Sequence, residues 1–136
     1  MILDSNILIA ALIRDSIVRR IIIQSKLRLF YPEMSLEEIQ KHKEYILRKS
    51  RCSSESFNIV LETLLKYIEI VPLGIIKPSM GEAERIIGKI DPGDIVFIAA
   101  ALTFQCPIWT DDKDFDQQKT IKTIKTKDML RYLGKL

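Results

Sequence analysis

The chain has 136 residues, of which 47% are apolar and 29% charged, with a formal net charge of +3. This composition is ordinary for a globular protein, and no apolar run is long enough to span a membrane. The apolar start contains Asp4 and lacks the basic residues that begin a signal peptide, so we do not expect secretion. The two cysteines, Cys52 and Cys106, have neither a CxxC motif nor a metal-ligand spacing. We therefore expect reduced thiols in a cytoplasmic protein.

Short apolar runs alternate with helical patterns in the first half of the chain. In chain order, the pattern predicts a strand at 2–3, a helix at 7–25 broken near 15–16, a strand at 27–31, a helix at 35–49, a helix at 53–67 and a strand at 68–72. We expect Pro32 to stop the second strand. Ser35 and Glu38 match the S-x-x-E pattern of a capping box at the start of the following helix.

The same alternation continues in the second half. It predicts a helix from 78 or 79 to 89, an interruption at the sequence DPGD, a helix at 95–103, a strand at 107–109, a fifth strand at 121–124 and a helix at 128–133. Strands separated by helices indicate an α/β protein with helices on both faces of a parallel sheet. We expect a three-layer α/β/α fold with four to five central strands, built as a single domain over residues 1–136.

Carboxylates lie next to several of the predicted strands. Asp4 follows the first strand, Asp112 follows the fourth, and Asp94 opens the helix that leads into the fourth. Glu38 lies near the start of the helix after the second strand. In parallel α/β sheets, ligands bind at the carboxyl ends of the strands, near a topological switch point. These four acids can therefore converge at one edge of the sheet.

Each acid also has a purely structural explanation, which the sequence leaves open. Asp4 and Asp94 are suitable helix N-caps, Asp91 is a good turn residue, and Glu38 suits the capping box. The acids at 111–116 can form a solvated loop. No single acid decides between a structural and a functional role.

Several other kinds of site are not supported. The DxDxD run at 112–116 resembles the start of an EF-hand loop, but Gln117 replaces the required glycine and Thr123 the required glutamate. The one histidine, His42, lies one helical turn after Glu38, and we expect it to be a solvated surface residue. Neither a Ser–His or Cys–His nucleophile system nor a glycine-rich phosphate loop is evident.

Basic residues are concentrated in two stretches of the chain. One comprises Lys41, Lys43, Arg48, Lys49 and Arg51. The other comprises Lys119, Lys122, Lys125, Lys127, Arg131 and Lys135, against a single acid, Asp128. A basic rim around an acidic site suits a polyanion held beside a metal, but from charge alone two solvated helix faces are the favoured explanation.

Four segments of the chain together resemble the PIN-domain ribonucleases, a family that includes the toxins of VapBC-type toxin–antitoxin pairs. The segments are ILDSNILI at 2–9, SLEEI at 35–39, DPGDIVFIAAAL at 91–102 and IWTDDKDF at 108–115. They occur in the family's order, and the resemblance spans essentially the whole chain. It implies a PIN-like fold and a metal-dependent endoribonuclease whose products carry a 5′-phosphate and a 3′-hydroxyl.

The resemblance also implies specific site residues. It assigns the metal-binding catalytic acids to Asp4, Glu38, Asp94 and Asp112. It makes Asp114 a supplementary ligand, and it gives Asn6 and Thr110 the role of orienting the acids or contacting substrate phosphate.

Two of these assignments involve a choice between neighbouring acids. Glu38 is preferred over Glu37 because the family's acid directly precedes an apolar residue. Asp112 is preferred over Asp111 because the family's acid stands two places after Thr110, but this choice stays open.

The residue types also bear on cofactor and partners. Clustered carboxylates without His or Cys favour Mg²⁺ or Mn²⁺ over Zn²⁺. The resemblance implies RNA, most simply single-stranded, as substrate, and an antitoxin protein or a homodimer partner at the helices of residues 35–67. Apolar residues there are also explained as core.

The alternatives to a ribonuclease are a catalytically silent PIN-like scaffold that binds RNA or protein and a metal-dependent phosphatase. A receiver-type phosphoacceptor is disfavoured.

Overall fold

The computed structural model describes residues 1–88 and 91–134. Its strands are β1 (Ile2–Leu3), β2 (Leu29–Pro32), β3 (Ile68–Val71), β4 (Ile108–Trp109) and β5 (Thr123–Ile124). They form one sheet in the order β3-β2-β1-β4-β5, and every neighbouring pair is parallel. The predicted α/β class with a central parallel sheet is confirmed, with five strands.

The helices connect successive strands. They are α1 (Ser5–Ile13), α2 (Ile17–Gln24), α3 (Leu36–Lys41), α4 (Lys43–Ser50), α5 (Ser54–Leu65), α6 (Leu73–Ile76), α7 (Met80–Ile87), α8 (Ile95–Phe104) and α9 (Thr126–Leu133). Short 3₁₀ segments occur at Glu33–Ser35, Lys77–Ser79, Pro92–Asp94 and Lys113–Gln117.

The helices fall into two groups that lie on opposite faces of the sheet. Helix α1 packs against α2, α3, α4 and α5, whereas α8 packs against α6 and α7 and contacts three strands. The chain moves from β1 to β2 and β3 in one direction across the sheet, and then crosses back to β4. Because parallel crossovers are right-handed, this reversal puts the two groups of helices on opposite faces.

The core is formed by the central strands and the two most apolar helices. Ile2 and Leu3 of β1 and Ile108 and Trp109 of β4 are fully buried. Helix α8 is apolar around its whole circumference, with a buried stretch from Val96 to Ala101. A helix of this kind is stable only inside a protein, where it covers one face of a sheet that is itself buried on both sides.

The structure divides one predicted helix and adds another. The predicted helix at 35–49 is interrupted at His42, whose backbone N–H is shared between the Glu38 and Ile39 carbonyls and ends α3. Helix α6, directly after Pro72, was not predicted because four residues are too few for a periodic signal. The predicted break near 15–16 is confirmed, and the predicted helix end at Lys89 lies outside the described residues.

Helix α9 starts at Thr126, two residues before its predicted beginning at 128. Of the two serines that suit the N-cap of this helix, Ser53 and Ser54, Ser53 caps α5, since its hydroxyl accepts a hydrogen bond from the Ser56 N–H. Within residues 1–88 and 91–134, no helix combines the length and apolar character needed to cross a membrane.

Helices α3 and α5 border an apolar cleft of about 540 Å³. Its lining is Leu36, Glu37, Ile39, Gln40, Lys41, Leu61 and Leu65. This cleft lies within the segment, residues 35–67, for which the sequence left core packing and a partner groove as alternatives.

Candidate active site

The site lies where β1 and β4 end, at the topological switch point of the sheet. From β1 the chain runs to β2 on one side, and β4 pairs with β1 on the other. Asp4 directly follows β1 and Thr110 directly follows β4. The Asp4 N–H bonds the Trp109 carbonyl at 3.1 Å, so the strand pairing brings both side chains to the same edge.

The side chain of Asp4 is held chiefly by Thr110. The Thr110 hydroxyl donates to Asp4 Oδ2 at 2.8 Å, and Asp4 is only 4% exposed. Although Asp4 occupies the N-cap position of α1, its side chain makes no capping hydrogen bond. The Thr110 hydroxyl, and not a capping bond, is therefore the hydrogen-bond partner of this carboxylate.

The environment of Asp4 disfavours its ionised form. Burial raises its pKa from 3.8 to about 6, and the carboxylates of Asp112 and Glu38 add to the rise. The Thr110 hydroxyl and the dipole of the nearby Asn6 N–H counteract it. A bound cation would remove the cost of ionising this group.

Asp94 lies at the start of α8 and is 8% exposed. Its side chain makes no capping hydrogen bond, and Oδ2 is buried without a hydrogen-bond partner among the described residues. Burial raises its pKa to about 7, and four acids add to the rise, namely Asp91, Asp4, Asp112 and Asp114. A buried carboxylate oxygen without a partner is costly unless a ligand satisfies it.

Three carboxylates of this group lie close enough to share one ion. Asp91, Asp94 and Asp114 each offer an oxygen, and these oxygens lie within 4.8 Å of one another. Asp91 is fixed by the Gly93 N–H, which donates to its Oδ1 at 2.9 Å. A Cβ at position 93 would approach that oxygen to 3.2 Å, so glycine suits this close turn.

Asp91 is the member of this cluster that the sequence analysis did not assign to the site. It was interpreted as a turn residue, and it does form that turn. The available signal is the first acid of the DPGD sequence, three residues before Asp94. Its role in the turn and its place in the cluster are compatible, because only Oδ1 accepts the Gly93 N–H.

The cluster fits a divalent cation. Besides the three converging acids, Asp4 and Asp112 lie close enough to raise the pKa of Asp94, and Glu38 close enough to raise that of Asp4. In residues 1–88 and 91–134, none of these six carboxylates pairs with a lysine or arginine. The unsatisfied Asp94 oxygen and the convergence of the Asp91 and Asp114 oxygens supply ligand positions. All of these ligand atoms are carboxylate oxygens, which bind hard divalent cations well.

Glu38 lies on the Asp4 side of the cluster. It contributes to the raised pKa of Asp4, whereas the acids that raise the pKa of Asp94 do not include it. The predicted capping box is wrong, because the Ser35 side chain makes no capping bond and the Glu38 carboxylate is not bonded to the Ser35 N–H. The carboxylate is therefore not occupied by helix capping.

Tyr31 ties together the segments that carry Asp4 and Glu38. Its buried hydroxyl donates to the Ser35 carbonyl at 2.8 Å and accepts from the Ser5 hydroxyl at 2.6 Å. Burial raises the pKa of the Tyr31 hydroxyl above its usual range, and the nearby acids reinforce this, so the group stays neutral.

Replacing Tyr31 with phenylalanine should lower the free energy of unfolding by about 1–3 kcal/mol, because the Ser5 hydroxyl and Ser35 carbonyl lose a buried partner. Chemical denaturation measures this change. Tyr67→Phe is the matched control, since Tyr67 is 45% exposed, and it should have an effect within about 0.5 kcal/mol. Equal effects of the two substitutions would show that the Tyr31 hydrogen bonds contribute nothing.

Asp111 and Asp112, the two acids that the sequence could not distinguish, have different surroundings. The Asp111 carboxylate accepts from the Thr126 N–H at 2.7 Å and the Thr126 hydroxyl at 2.6 Å, which fixes the start of α9. Asp112 interacts with Asp4 and Asp94 instead, and its Oδ1 accepts the Asp114 N–H at 2.9 Å. The geometry favours Asp112 as the site residue and gives Asp111 a structural role.

Asp111→Ala should therefore lower the free energy of unfolding by about 0.5–2 kcal/mol, as expected for the loss of a helix cap. It should leave the affinity for Mn²⁺ within about threefold of wild type, whereas Asp112→Ala should weaken it tenfold or more. Calorimetric titration with Mn²⁺ and thermal unfolding measure the two effects. A larger loss of Mn²⁺ affinity in Asp111→Ala than in Asp112→Ala would reverse the assignment.

The remaining candidates flank the acids. Asn6 is exposed at the start of α1, and Thr110 is buried against Asp4. His42 is exposed, and its Nδ1 lies 2.7 Å from the Glu38 carbonyl oxygen. A protein carbonyl only accepts hydrogen bonds, so Nδ1 donates here and the ring has a defined orientation.

Comparison with known sequences identifies the family. The profile of the PIN domain matches residues 2–134, nearly the whole chain. None of the curated proteins gives a significant match. PIN domains are generally metal-dependent nucleases, and the acidic cluster at the switch point is suited to that chemistry. With its five-stranded parallel sheet and a match over residues 2–134, the chain belongs to the PIN-domain family.

Proposed function

We propose that the chain is a Mg²⁺- or Mn²⁺-dependent endoribonuclease that hydrolyses RNA phosphodiester bonds in the cytoplasm, as the toxin of a toxin–antitoxin pair. The observation that carries the enzymatic part is the buried oxygen of Asp94, which has no hydrogen-bond partner among residues 1–88 and 91–134, beside the carboxylates of Asp91 and Asp114. In a PIN domain this arrangement supports cation binding at the catalytic edge. The four segments quoted from the sequence support the ribonuclease and toxin assignments.

In this proposal, Asp91, Asp94 and Asp114 hold the ion together with Asp4 and Asp112. Glu38, whose charge acts on Asp4, is proposed as a further metal-binding acid. When bound, a divalent ion supplies the Lewis acidity that phosphodiester hydrolysis requires. Its most suitable identity is Mg²⁺ or Mn²⁺, since no His or Cys belongs to the converging group.

The protein's own groups position this chemistry. Thr110 fixes the orientation of Asp4 through the 2.8 Å hydrogen bond, and the Asp114 N–H fixes Asp112. Both sets of contacts are made at strand ends or short turns that directly follow β1 and β4, which are fully buried. The proposed products are a 5′-phosphate and a 3′-hydroxyl.

Charge outside the acidic cluster supports a polyanionic substrate. Lys41, Arg48, Lys49 and Arg51 are exposed on or beside α3 and α4. On the other side, Lys127 and Arg131 are exposed on α9, which starts at the Asp111 contact. A phosphate backbone lying across the acids can contact either group of cations.

The apolar cleft between α3 and α5 supports the proposed antitoxin or homodimer contact. Its volume of about 540 Å³ and its leucine and isoleucine lining suit an apolar segment of a partner chain. Sedimentation velocity across a hundredfold range of protein concentration tests the homodimer directly. A strictly monomeric protein over that range would contradict it.

The activity is tested by incubating the purified protein with labelled single-stranded RNA, the matched DNA and a small phosphomonoester, each in Mg²⁺, Mn²⁺ or EDTA. We expect cleavage of RNA with either metal and none with EDTA, and 5′-phosphate ends on the products. Hydrolysis of the phosphomonoester alone would establish a phosphatase instead. Metal binding without hydrolysis of any substrate would indicate a non-catalytic scaffold.

A further inference from the structure

A second cleft, distinct from the acidic cluster, lies between α1 and α4. Its volume is about 410 Å³, and its lining residues are Asn6, Ile9, Ala10, Ile13, His42 and Tyr45. The α1 residues recur at intervals of three and four, so they form one continuous face of that helix. His42 and Tyr45 face them from the break before α4 and from its first turn.

The lining combines an apolar floor with a planar, polar rim. Ile9 is buried, Ala10 and Ile13 are partly buried, and together they form the floor. Tyr45 is 43% exposed, a large fraction for an aromatic ring beside a cleft. Its ring offers a stacking surface, and the Asn6 amide can donate and accept hydrogen bonds.

His42 adds a defined hydrogen-bonding position to this rim. Since Nδ1 donates to the Glu38 carbonyl at 2.7 Å, Nε2 of the neutral ring is an acceptor. The His42 ring is thus oriented by the backbone carbonyl of Glu38, the residue whose carboxylate contributes to the raised pKa of Asp4. A planar ligand with N–H groups on its edge matches both the stacking surface and this acceptor.

The cleft is continuous with the proposed catalytic edge and with a basic surface. Asn6 lies two residues after Asp4, and its backbone N–H acts on the Asp4 carboxylate. On the other side, the Lys49 ammonium lies 5.8 Å from the centre of the Tyr45 ring. A strand of nucleic acid that reaches the acids along this path would have its phosphates near Lys49.

We propose that this cleft binds one unpaired base of the single-stranded RNA substrate, next to the bond that is cut. The inference rests on the proposed function, and it specifies how that site selects its substrate. Stacking on Tyr45 requires a splayed base, which a duplex does not present. The cleft would therefore favour single strands and unpaired loops over double-stranded RNA.

The test measures binding separately from cleavage. Fluorescence anisotropy with a labelled single-stranded RNA in EDTA compares wild type with Tyr45→Ala, Tyr45→Phe and Tyr67→Ala. The last variant removes a tyrosine of similar exposure, 45%, outside the cleft. Thermal unfolding of each variant establishes that it is folded.

We expect Tyr45→Ala to weaken RNA binding about 5- to 100-fold, the range for loss of one base–aromatic stack. Tyr45→Phe, which keeps the ring, and Tyr67→Ala should stay within about threefold of wild type. The slope of log affinity against log salt should be unchanged in Tyr45→Ala, because no cation is removed. Oligomers with abasic positions should bind wild type as weakly as intact RNA binds Tyr45→Ala.

The outcomes separate this proposal from the proposed activity. If wild type cleaves RNA and Tyr45→Ala binds it equally well, the subsite is wrong and the nuclease stands. The cleft would then serve another occupant, such as a protein segment. Binding that depends on Tyr45, without cleavage in any metal, would support the subsite and overturn the nuclease. If wild type does not bind single-stranded RNA in EDTA, the subsite is wrong, and the cleavage assay with Mg²⁺ or Mn²⁺ decides the proposed activity separately.

Discussion

Asp94→Asn is expected to abolish cleavage of nucleic acid and to leave the protein folded and at least as stable as wild type at pH 8. The substitution keeps the size of a side chain that is 8% exposed but removes its charge. In the wild type that charge is buried near four other acids, which together with burial raise its pKa to about 7. Removing it therefore relieves an unfavourable interaction in the metal-free protein.

The two effects have opposite signs, which makes the test specific. We expect a loss of activity on the order of 100-fold or more, because the ion loses a ligand. In EDTA at pH 8, the free energy of unfolding should rise by about 1–3 kcal/mol, the scale of a shifted carboxylate pKa. RNA-cleavage kinetics and chemical denaturation measure the two quantities.

Asp116→Asn is the matched control for this substitution. Asp116 is exposed, pairs with Lys125 at 3.2 Å and lies outside the converging group of acids. Its neutralisation should change stability by less than about 1 kcal/mol and leave activity essentially unchanged. An Asp94→Asn variant with wild-type turnover would remove Asp94 from the mechanism.

The stability of the metal-free protein should decrease as the pH rises from about 4 to 8. The pKa values of Asp4 and Asp94 are raised in the folded state, to about 6 and about 7, from 3.8. The folded protein therefore retains protons on these groups over a range in which the unfolded chain has lost them. Their contribution is fully present below about pH 4 and is lost as the pH rises through 6 and 7.

A divalent cation should reverse this trend. At pH 8 both carboxylates are ionised and can bind the metal, so saturating Mg²⁺ or Mn²⁺ should raise the melting temperature by several degrees. At pH 5 protons compete for the same oxygens, and the increase should be much smaller. Melting curves from pH 5 to 8.5, with metal or EDTA, measure both effects.

The Asp94→Asn variant provides the control for the pH experiment. It lacks the group with the higher pKa, so its stability should fall less steeply between pH 6 and 8 than that of wild type. A wild-type protein whose melting temperature rises with pH across this window in EDTA would contradict the assigned pKa shifts.

The fold follows closely from local sequence patterns. The parallel sheet was predictable because apolar runs alternate with helices, and the site edge was predictable because Asp4 and Asp112 follow strands of that sheet. The division at His42 was not, since no proline or glycine marks it. There the backbone N–H is shared between two carbonyls, which depends on packing and leaves no compositional signal.

The site shows where sequence patterns mislead. Ser35 and Glu38 have the spacing of a capping box, but no such box forms, because Ser35 ends a 3₁₀ turn with helical backbone angles, whereas an N-cap residue needs an extended backbone. For Asp91 the sequence correctly predicts a turn residue, but the turn pattern gives no indication that its carboxylate lies beside those of Asp94 and Asp114. Only the three-dimensional approach of two chain segments, at 91–94 and 112–114, distinguishes a turn residue from a member of the cluster.

Calorimetric titration with Mn²⁺ at pH 8 determines whether the carboxylates at the switch point hold a divalent cation. We expect saturable binding to wild type and to Asp116→Asn, and none to Asp94→Asn. Identical titrations of wild type and Asp94→Asn, or no binding to any of the three proteins, would contradict this expectation.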